Sequence, residues 1–194
     1  MSRSSLFIRI AQLLFFLAGI ILILAPIDWP QYYRPIPMGF MAIAYSFIID
    51  LPRRFFKESS SKLAQEFQII LIINLLLCSL GSLGLWSTTF LKVIDYDKLV
   101  HFFFSASILF IGSLALSSKY KYSIKKTVII TVIIIVFFGV AWEFIEYFFA
   151  TYFHVGYFGT LFDHDSRFDL ITNLSGIITG VFFLALRYRF SNKP

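Results

Sequence analysis

Residues 127–150 have the sequence TVIITVIIIVFFGVAWEFIEYFFA, which is almost entirely apolar apart from Glu143 and Glu146. The stretch is long enough for an α-helix to cross a bilayer, which takes about 20 residues. A charged group near the bilayer centre costs at least ~2.5 kcal/mol, so acids within a span normally face a protein interior, a partner or water. Two residues three apart lie on the same helical face. The stretch therefore predicts a transmembrane helix with an acidic face turned away from lipid.

The composition extends this prediction to the whole chain. Of 194 residues 58% are hydrophobic and 14% are charged, and the apolar residues form long blocks separated by short basic loops. This pattern is typical of a multi-pass membrane protein and excludes a soluble globular domain. The net charge of +6 is explained by the basic loops, and no nucleic-acid partner is expected. A lone cysteine, Cys78, excludes an intrachain disulfide and a cysteine-based metal site.

Hydropathy predicts an all-α fold with six transmembrane helices in one transmembrane domain over residues 1–194. The second span is the shortest, and the first is interpreted as a retained helix because it lacks a small-residue cleavage site for signal peptidase. The predicted spans are residues 6–27, 36–51, 67–91, 99–116, 127–150 and 168–186.

The basic residues predict the orientation of these spans. With both termini in the cytoplasm, 13 of the 17 Lys and Arg residues fall in cytoplasmic segments. Without the second span, the basic loop from Arg53 to Lys62 would lie outside, against the positive-inside rule. We therefore predict an N-in, C-in protein of the cytoplasmic (inner) membrane, surrounded by lipid. The sequence gives no prediction of its oligomeric state.

This topology brings the ionisable residues of three spans to the outer side of the membrane. Asp97 and His101 begin the fourth span four residues apart, so they share one helical face. Glu143 and Glu146 lie near the outer end of the fifth span. The remaining polar residues precede or begin the sixth span: Asp163, His164, Asp165, Arg167, Asp169 and Asn173.

Several acids cannot share a low-dielectric pocket without a compensating positive charge. Three sources of this positive charge remain open. Lys98 and Arg167 could form ion pairs, or one glutamate could hold a proton. A divalent Zn, Fe or Mn ion could also bind, because imidazole and carboxylate are suitable ligands for these metals. The predicted metal ligands are His101, Glu143, Glu146 and Asp169.

The sixth span also carries a stripe of small residues. Gly176 and Gly180 lie four residues apart on the face that begins with Asn173. Glycines at this spacing allow a neighbouring helix to approach closely. We expect the fifth span to be that neighbour.

The order of these motifs resembles the YjdF-like family of bacterial inner-membrane proteins, whose activity is not established. The last part, from Arg167 to Gly180, is similar to the VanZ-like family, which is associated with glycopeptide resistance. The resemblance implies a small multi-helix envelope protein and covers residues 96–180. Its motifs are Tyr96-Asp97-Lys98-x-x-His101-Phe102, Trp142-Glu143-x-x-Glu146, and Gly159-Thr160 followed by Asp163, Asp165, Asp169, Asn173, Gly176 and Gly180.

Three functions are compatible with such a pocket. The first is a metal-assisted or acid/base hydrolase or transferase that acts on a lipid headgroup or a lipid-linked envelope precursor. Its predicted catalytic residues are His101, Glu143, Glu146 and Asp169, and its predicted substrate-binding residues are Asp97, Asp165, Arg167 and Asn173. The second is a structural or accessory protein in which the polar cluster only joins helices. The third is a module that binds or transports cations or protons.

Overall fold

A computed structural model of the chain describes residues 3–24, 35–56, 61–82, 89–90, 94–153 and 164–191. The chain divides into two compact units, Met1–Leu85 and Trp86–Pro194. The organisation as a single transmembrane domain stays a prediction. The first unit contains helices α1 (Arg3–Leu24), α2 (Pro35–Ile48), α3 (Leu51–Phe56) and α4 (Ser61–Ser82). The second contains two short strands, β1 (Thr89–Phe90) and β2 (Ile94–Asp95), and helices α5 (Tyr96–Tyr120), α6 (Ile124–Phe153) and α7 (His164–Ser191).

The helical, multi-pass character of the chain is confirmed. In the described part of the chain, five helices are long and apolar enough to cross a membrane: α1, α4, α5, α6 and α7. Helix α2 has 14 residues, a length of about 21 Å, which is less than the ~30 Å of a hydrocarbon core. The count of six spans and the N-in, C-in orientation therefore stay predictions.

The predicted third span is wrong at its carboxyl-terminal end. The sequence predicted a helix to residue 91, but α4 ends at Ser82 and Thr89–Phe90 forms a strand. Thr89 pairs with Asp95 and Phe90 with Ile94 in an antiparallel register. The segment after Leu80 is rich in glycine, serine and threonine, which are poor helix formers, so hydropathy alone overestimates the length of this helix.

In the first unit, α1 and α2 meet at two glycines. A Cβ atom on Gly19 would lie 2.6 Å from the Gly39 carbonyl oxygen, and a Cβ atom on Gly39 would lie 2.6 Å from the Gly19 carbonyl oxygen. Only hydrogen atoms fit at this crossing, so the two backbones touch. The apolar core beside it combines residues of α1, α2 and α4 with Ile49: Ile8, Ala11, Phe15, Ala42, Ile49, Ile72 and Leu75.

In the second unit, α7 packs along α5 through the two predicted glycines. A Cβ atom on Gly176 would collide with the Phe102 carbonyl oxygen, and one on Gly180 would lie 2.6 Å from the Ala106 carbonyl oxygen. The close approach is confirmed, but the expected neighbour is wrong, because these contacts are with α5, the predicted fourth span, and not with α6. Spacing shows that a helix can be approached closely, whereas the identity of its neighbour depends on tertiary packing.

Candidate functional site

The site is built on one face of α5. Residues at intervals of four share a helical face, and this face carries five such positions: Asp97, His101, Ser105, Leu109 and Ser113. Ser105, Leu109 and Ser113 are fully or almost fully buried. Farther along the helix the Ser113 hydroxyl is 3.3 Å from the Thr131 hydroxyl of α6. The Leu109 side chain packs with Ile135 of α6 and Ile177 of α7. These apolar and hydroxyl contacts therefore fix the register of α5, α6 and α7 in the part of the unit that follows the charged residues along α5.

The charged end of this face meets Asp169 of α7. The Lys98 ammonium donates to Asp169 Oδ1 at 2.6 Å and to Asp97 Oδ2 at 3.1 Å. The His101 Nε2 atom lies 3.6 Å from Asp97 Oδ1 and 3.8 Å from Asp169 Oδ1. The Asp169 side chain is only 3% exposed. Two carboxylates thus share one lysine, with a half-buried imidazole beside them, and we call these four residues the polar cluster.

A neutral hydrogen bond joins α5 and α7 one turn away from the cluster. The Ser105 hydroxyl donates to Asn173 Oδ1 at 2.6 Å, and both side chains are buried. On its other side Asn173 Nδ2 approaches α6, where it would lie 3.4 Å from a Cβ atom on Gly139. Asn173, a predicted substrate-binding residue, therefore bonds to Ser105 of α5 and packs close to α6 at Gly139.

Replacing Ser105 with alanine is expected to destabilise the protein by about 1–3 kcal/mol, because the buried Asn173 carbonyl loses its donor. The measurement is unfolding of the purified protein in detergent. Ser175→Ala is the matched control, since the Ser175 hydroxyl is exposed and donates to Ile171 O of its own helix. Equal stability of the two variants would contradict a role for the Ser105–Asn173 bond in joining the helices.

Glu143 lies on the face of α6 that turns toward α5 and α7. It follows Gly139 by four residues, and Gly139 follows Ile135 by four, so all three share one face. Glu143 is buried, with 8% of its surface exposed, and its Oε1 atom has no hydrogen-bond partner within the described residues. A buried carboxylate oxygen without a donor is costly. Glu143 is thus buried within the protein, as predicted for the acidic face, whereas the side chain of Glu146, the other acid of that face, lies outside the described residues.

The other predicted site residues are placed differently or not at all. Arg167 is exposed and forms no ion pair with another described residue. The side chains of Glu146 and Asp165 lie outside the described residues, although both positions belong to helices. Asp163 lies outside the described part of the chain altogether. The catalytic and substrate-binding roles of these residues stay predictions.

Sequence reasoning gave no site role to Ser105 and treated Lys98 only as a possible ion-pair partner. The four-residue recurrence from Asp97 through Ser113 was a usable signal for Ser105. No such signal existed for Lys98, because it is adjacent to Asp97 and neighbouring positions on a helix do not face each other. Its long flexible stem lets the ammonium reach both aspartates.

The cluster includes three residues with the spacing of a metal-binding set. Single ligand atoms of Asp97, His101 and Asp169 all lie within 4.8 Å of one another. Of the ligands predicted from sequence, this set contains His101 and Asp169 but not Glu143, and it adds Asp97. One imidazole and two carboxylates form a donor set that suits Zn, Fe or Mn. If these three residues held an ion, a coordination position would remain for water, as in catalytic zinc sites.

Comparisons with known proteins show the family of the chain. A family model described as predicted membrane protein (DUF2238) matches residues 7–190. No curated protein and no solved structure matches the chain. The VanZ-like similarity of the last helix stays a prediction. Because the match spans both units and includes the polar cluster, the chain belongs to the DUF2238 family of membrane proteins, the YjdF family that the motif order indicated.

Proposed function

We propose that this protein is a membrane-embedded, metal-dependent hydrolase or transferase that acts on a lipid headgroup or a lipid-linked envelope precursor. The observation that carries the proposal is the convergence of Asp97, His101 and Asp169 within 4.8 Å, from two helices whose register is fixed by close packing. A divalent ion held there would polarise a carbonyl or phosphoryl oxygen and lower the pKa of a bound water.

The position of the cluster supports a headgroup substrate. Asp97 is the second residue of the candidate span Tyr96–Tyr120, and Asp169 is the third residue of the candidate span Arg167–Arg189. Both therefore lie at the end of a span, where a helix leaves the hydrocarbon and meets headgroups. The polar headgroup of a lipid reaches this depth without its acyl chains leaving the bilayer.

The remaining residues of the site have complementary roles in this proposal. Glu143 acts as general acid or base, since its buried carboxylate has an oxygen without a partner. With an ion held by Asp97, His101 and Asp169, the Lys98 ammonium would no longer be needed by Asp169 and would stabilise negative charge that develops on the reacting oxygen. Ser105 and Asn173 hold Asp169 in position through the contact between α5 and α7.

Metal binding by the purified protein tests the proposal. We expect about one equivalent of Zn, Mn or Fe(II) per chain, measured by elemental analysis and calorimetric titration. His101→Ala and Asp169→Asn should lower the affinity by more than about 100-fold, since even outer-shell partners of a metal site contribute roughly 10–100-fold. Asp95→Asn, which neutralises an exposed aspartate outside the metal-binding set, is the matched control. A folded wild-type protein that binds none of these ions at millimolar concentration would exclude the metal mechanism.

A second candidate function is structural, and the short Lys98–Asp169 contact of 2.6 Å favours it. In this alternative the cluster joins α5 to α7 and performs no reaction. Charge neutralisation then lowers stability, divalent ions do not change stability, and no separate activity is lost. The response of the unfolding midpoint to zinc distinguishes the two functions.

A further inference from the structure

The turn between α5 and α6 lies at the same end of the second unit as the last residues of α7. Three residues, 121–123, join α5 to α6. Gly176 of α7 lies against Phe102 of α5. One turn later Gly180 lies against Ala106, so α5 and α7 run in the same direction. The carboxyl ends of these two helices and the amino end of α6 therefore meet at one end of the unit.

This end of the unit carries only positive charge. The sequence has no aspartate or glutamate in residues 107–142 or in residues 170–194. Six exposed basic residues lie here, and we call them the basic end: Lys119, Lys121, Lys125, Lys126, Arg187 and Arg189. No described residue of this end supplies a carboxylate. The polar cluster lies near the opposite ends of α5 and α7, so the two sites are separate.

Hydrogen bonds hold the turn in a fixed backbone geometry. Lys121 has a left-handed backbone with a φ of 57°, and its N–H donates to the Ser117 carbonyl at 3.0 Å. The Ser117 hydroxyl donates to the Tyr122 carbonyl at 3.2 Å. The Thr127 N–H donates to the Ser123 carbonyl at 3.0 Å. Helices that end in a left-handed residue usually have glycine there. The turn therefore carries a lysine where glycine would be accommodated more easily.

Two tyrosines of the turn hold two of the lysines. The Tyr120 and Tyr122 rings stack with their centroids 5.6 Å apart and 23° between their planes. The Lys126 ammonium lies 3.7 Å from the centroid of the Tyr122 ring. The Lys119 ammonium lies 5.5 Å from the centroid of the Tyr120 ring. The face of an aromatic ring attracts a cation at these distances. An ammonium group has three N–H donors, so a lysine held on a ring can still bind an anion.

The basic end lies at a membrane boundary. Three candidate spans begin or end here, at Tyr120, Ile124 and Arg189. Lysines at the ends of spans extend toward the headgroups, and tyrosine rings prefer the same depth. Exposed apolar side chains follow within two turns, with Ile129 of α6 50% exposed and Phe183 of α7 54% exposed. A ligand with a phosphate at one end and acyl chains at the other therefore matches this surface.

We propose that the basic end binds anionic phospholipids. Headgroup phosphates accept hydrogen bonds from the Lys119 and Lys126 ammonium groups, which the stacked tyrosines hold in position. The other four basic residues attract the negative surface of the bilayer. The acyl chains lie along the exposed apolar side chains of α6 and α7. The predicted N-in, C-in orientation places this surface in the cytoplasmic leaflet, which is negatively charged. The proposal does not depend on the metal-dependent reaction proposed for the polar cluster.

The test measures lipid binding by native mass spectrometry of the detergent-purified protein. Phosphatidylglycerol carries one negative charge, whereas phosphatidylcholine with the same acyl chains carries no net charge. We expect phosphatidylglycerol to bind at least about five-fold more tightly, the ratio for one basic residue that acts on an anionic lipid. Glycerophosphoglycerol, the same headgroup without acyl chains, tests whether the ligand is a soluble phosphodiester instead.

Three lysine variants test the charges. Lys126→Gln should weaken the binding of phosphatidylglycerol about five-fold. Lys62→Gln removes the same charge from an exposed position of α4 in the first unit, and it should leave the tightest binding event unchanged. Lys121→Gly should also weaken binding about five-fold. Its unfolding midpoint should not fall, because glycine adopts the left-handed backbone without a steric cost.

A tyrosine variant tests the position of Lys126 without changing any charge. Tyr122→Leu removes the ring beneath the Lys126 ammonium, so the lysine side chain has to be ordered when the lipid binds. Ordering one long side chain should weaken the binding of phosphatidylglycerol about two- to ten-fold. Tyr147→Leu is the matched control, since Tyr147 is an exposed tyrosine near the other end of α6. It should leave binding unchanged.

Four results would overturn the proposal. Equal binding of the two lipids would show that the basic end does not recognise an anionic headgroup. An equal loss in Lys126→Gln and Lys62→Gln would show a general charge effect. Unchanged binding in Tyr122→Leu would show that the tyrosines do not position a phosphate-binding lysine. Displacement of phosphatidylglycerol by equimolar glycerophosphoglycerol would reassign the surface to a soluble phosphodiester.

Discussion

Lys98→Met is expected to destabilise the second unit by about 3–5 kcal/mol, the usual effect of removing one partner from a buried ion pair. The substitution keeps most of the apolar stem but removes the ammonium that contacts Asp169 at 2.6 Å and Asp97 at 3.1 Å. Asp169 is almost fully buried and would be left without its closest positive charge. The free energy of unfolding is measured by titration with a denaturing detergent.

The control for this variant is Lys125→Met, which removes an exposed lysine from the start of α6. We expect it to change the free energy of unfolding by less than ~0.5 kcal/mol, as is usual for surface substitutions. Similar losses in the two variants would show that Lys98 does not compensate the aspartates.

The same variant separates the two candidate functions. If Asp97, His101 and Asp169 bind a metal, zinc should restore the stability of Lys98→Met, because an ion that binds only the folded state stabilises it by mass action. At a zinc concentration of 100 times the dissociation constant the gain is about 2.7 kcal/mol. Zinc should not restore the stability of Asp169→Asn, because this variant lacks one of the metal ligands. Failure to restore either variant favours the structural function.

Gly176→Ala should have the second largest effect, with a loss of about 3 kcal/mol, the upper part of the range for overpacking. The added Cβ would collide with the Phe102 carbonyl oxygen and would lie 3.0 Å from Ser105 Cβ and 3.1 Å from the Ala106 nitrogen. Because two of these atoms belong to the backbone, α5 and α7 must move apart. The separation would lengthen the Ser105–Asn173 hydrogen bond and the Lys98–Asp169 contact together.

Gly139→Ala is the matched control, since its Cβ would lie 3.4 Å from Asn173 Nδ2, an ordinary contact distance. Alanine also favours a helix over glycine by about 1 kcal/mol, so this variant should be as stable as the wild type or more so. The measurement is the unfolding midpoint of both variants. A Gly176→Ala protein with unchanged stability would contradict the close packing of α5 on α7.

Much of the fold could be predicted from hydropathy, because the requirement for long apolar helices is local. Five candidate spans and the burial of Glu143 on α6 were predicted in this way. The end of α4 was not predicted correctly. The segment before Thr89 is apolar enough for a span, but it is rich in poor helix formers. The pairing of Asp97 with His101 followed from their spacing, whereas the contact between Lys98 and Asp169 joins residues 71 apart in sequence.

The sequence by itself determined that this chain is a helical membrane protein, and that acids and a histidine gather near the ends of its later helices. These features depend on the cost of placing polar groups in hydrocarbon, which acts on each segment separately. Only the tertiary structure decided that α5 is the neighbour of α7 and that Lys98 joins Asp97 to Asp169. It also left Glu143 Oε1 and Gln68 Oε1 buried without a donor in the described structure. The physical reason is that helix spacing specifies which side chains share a face, while packing between backbones decides which faces meet.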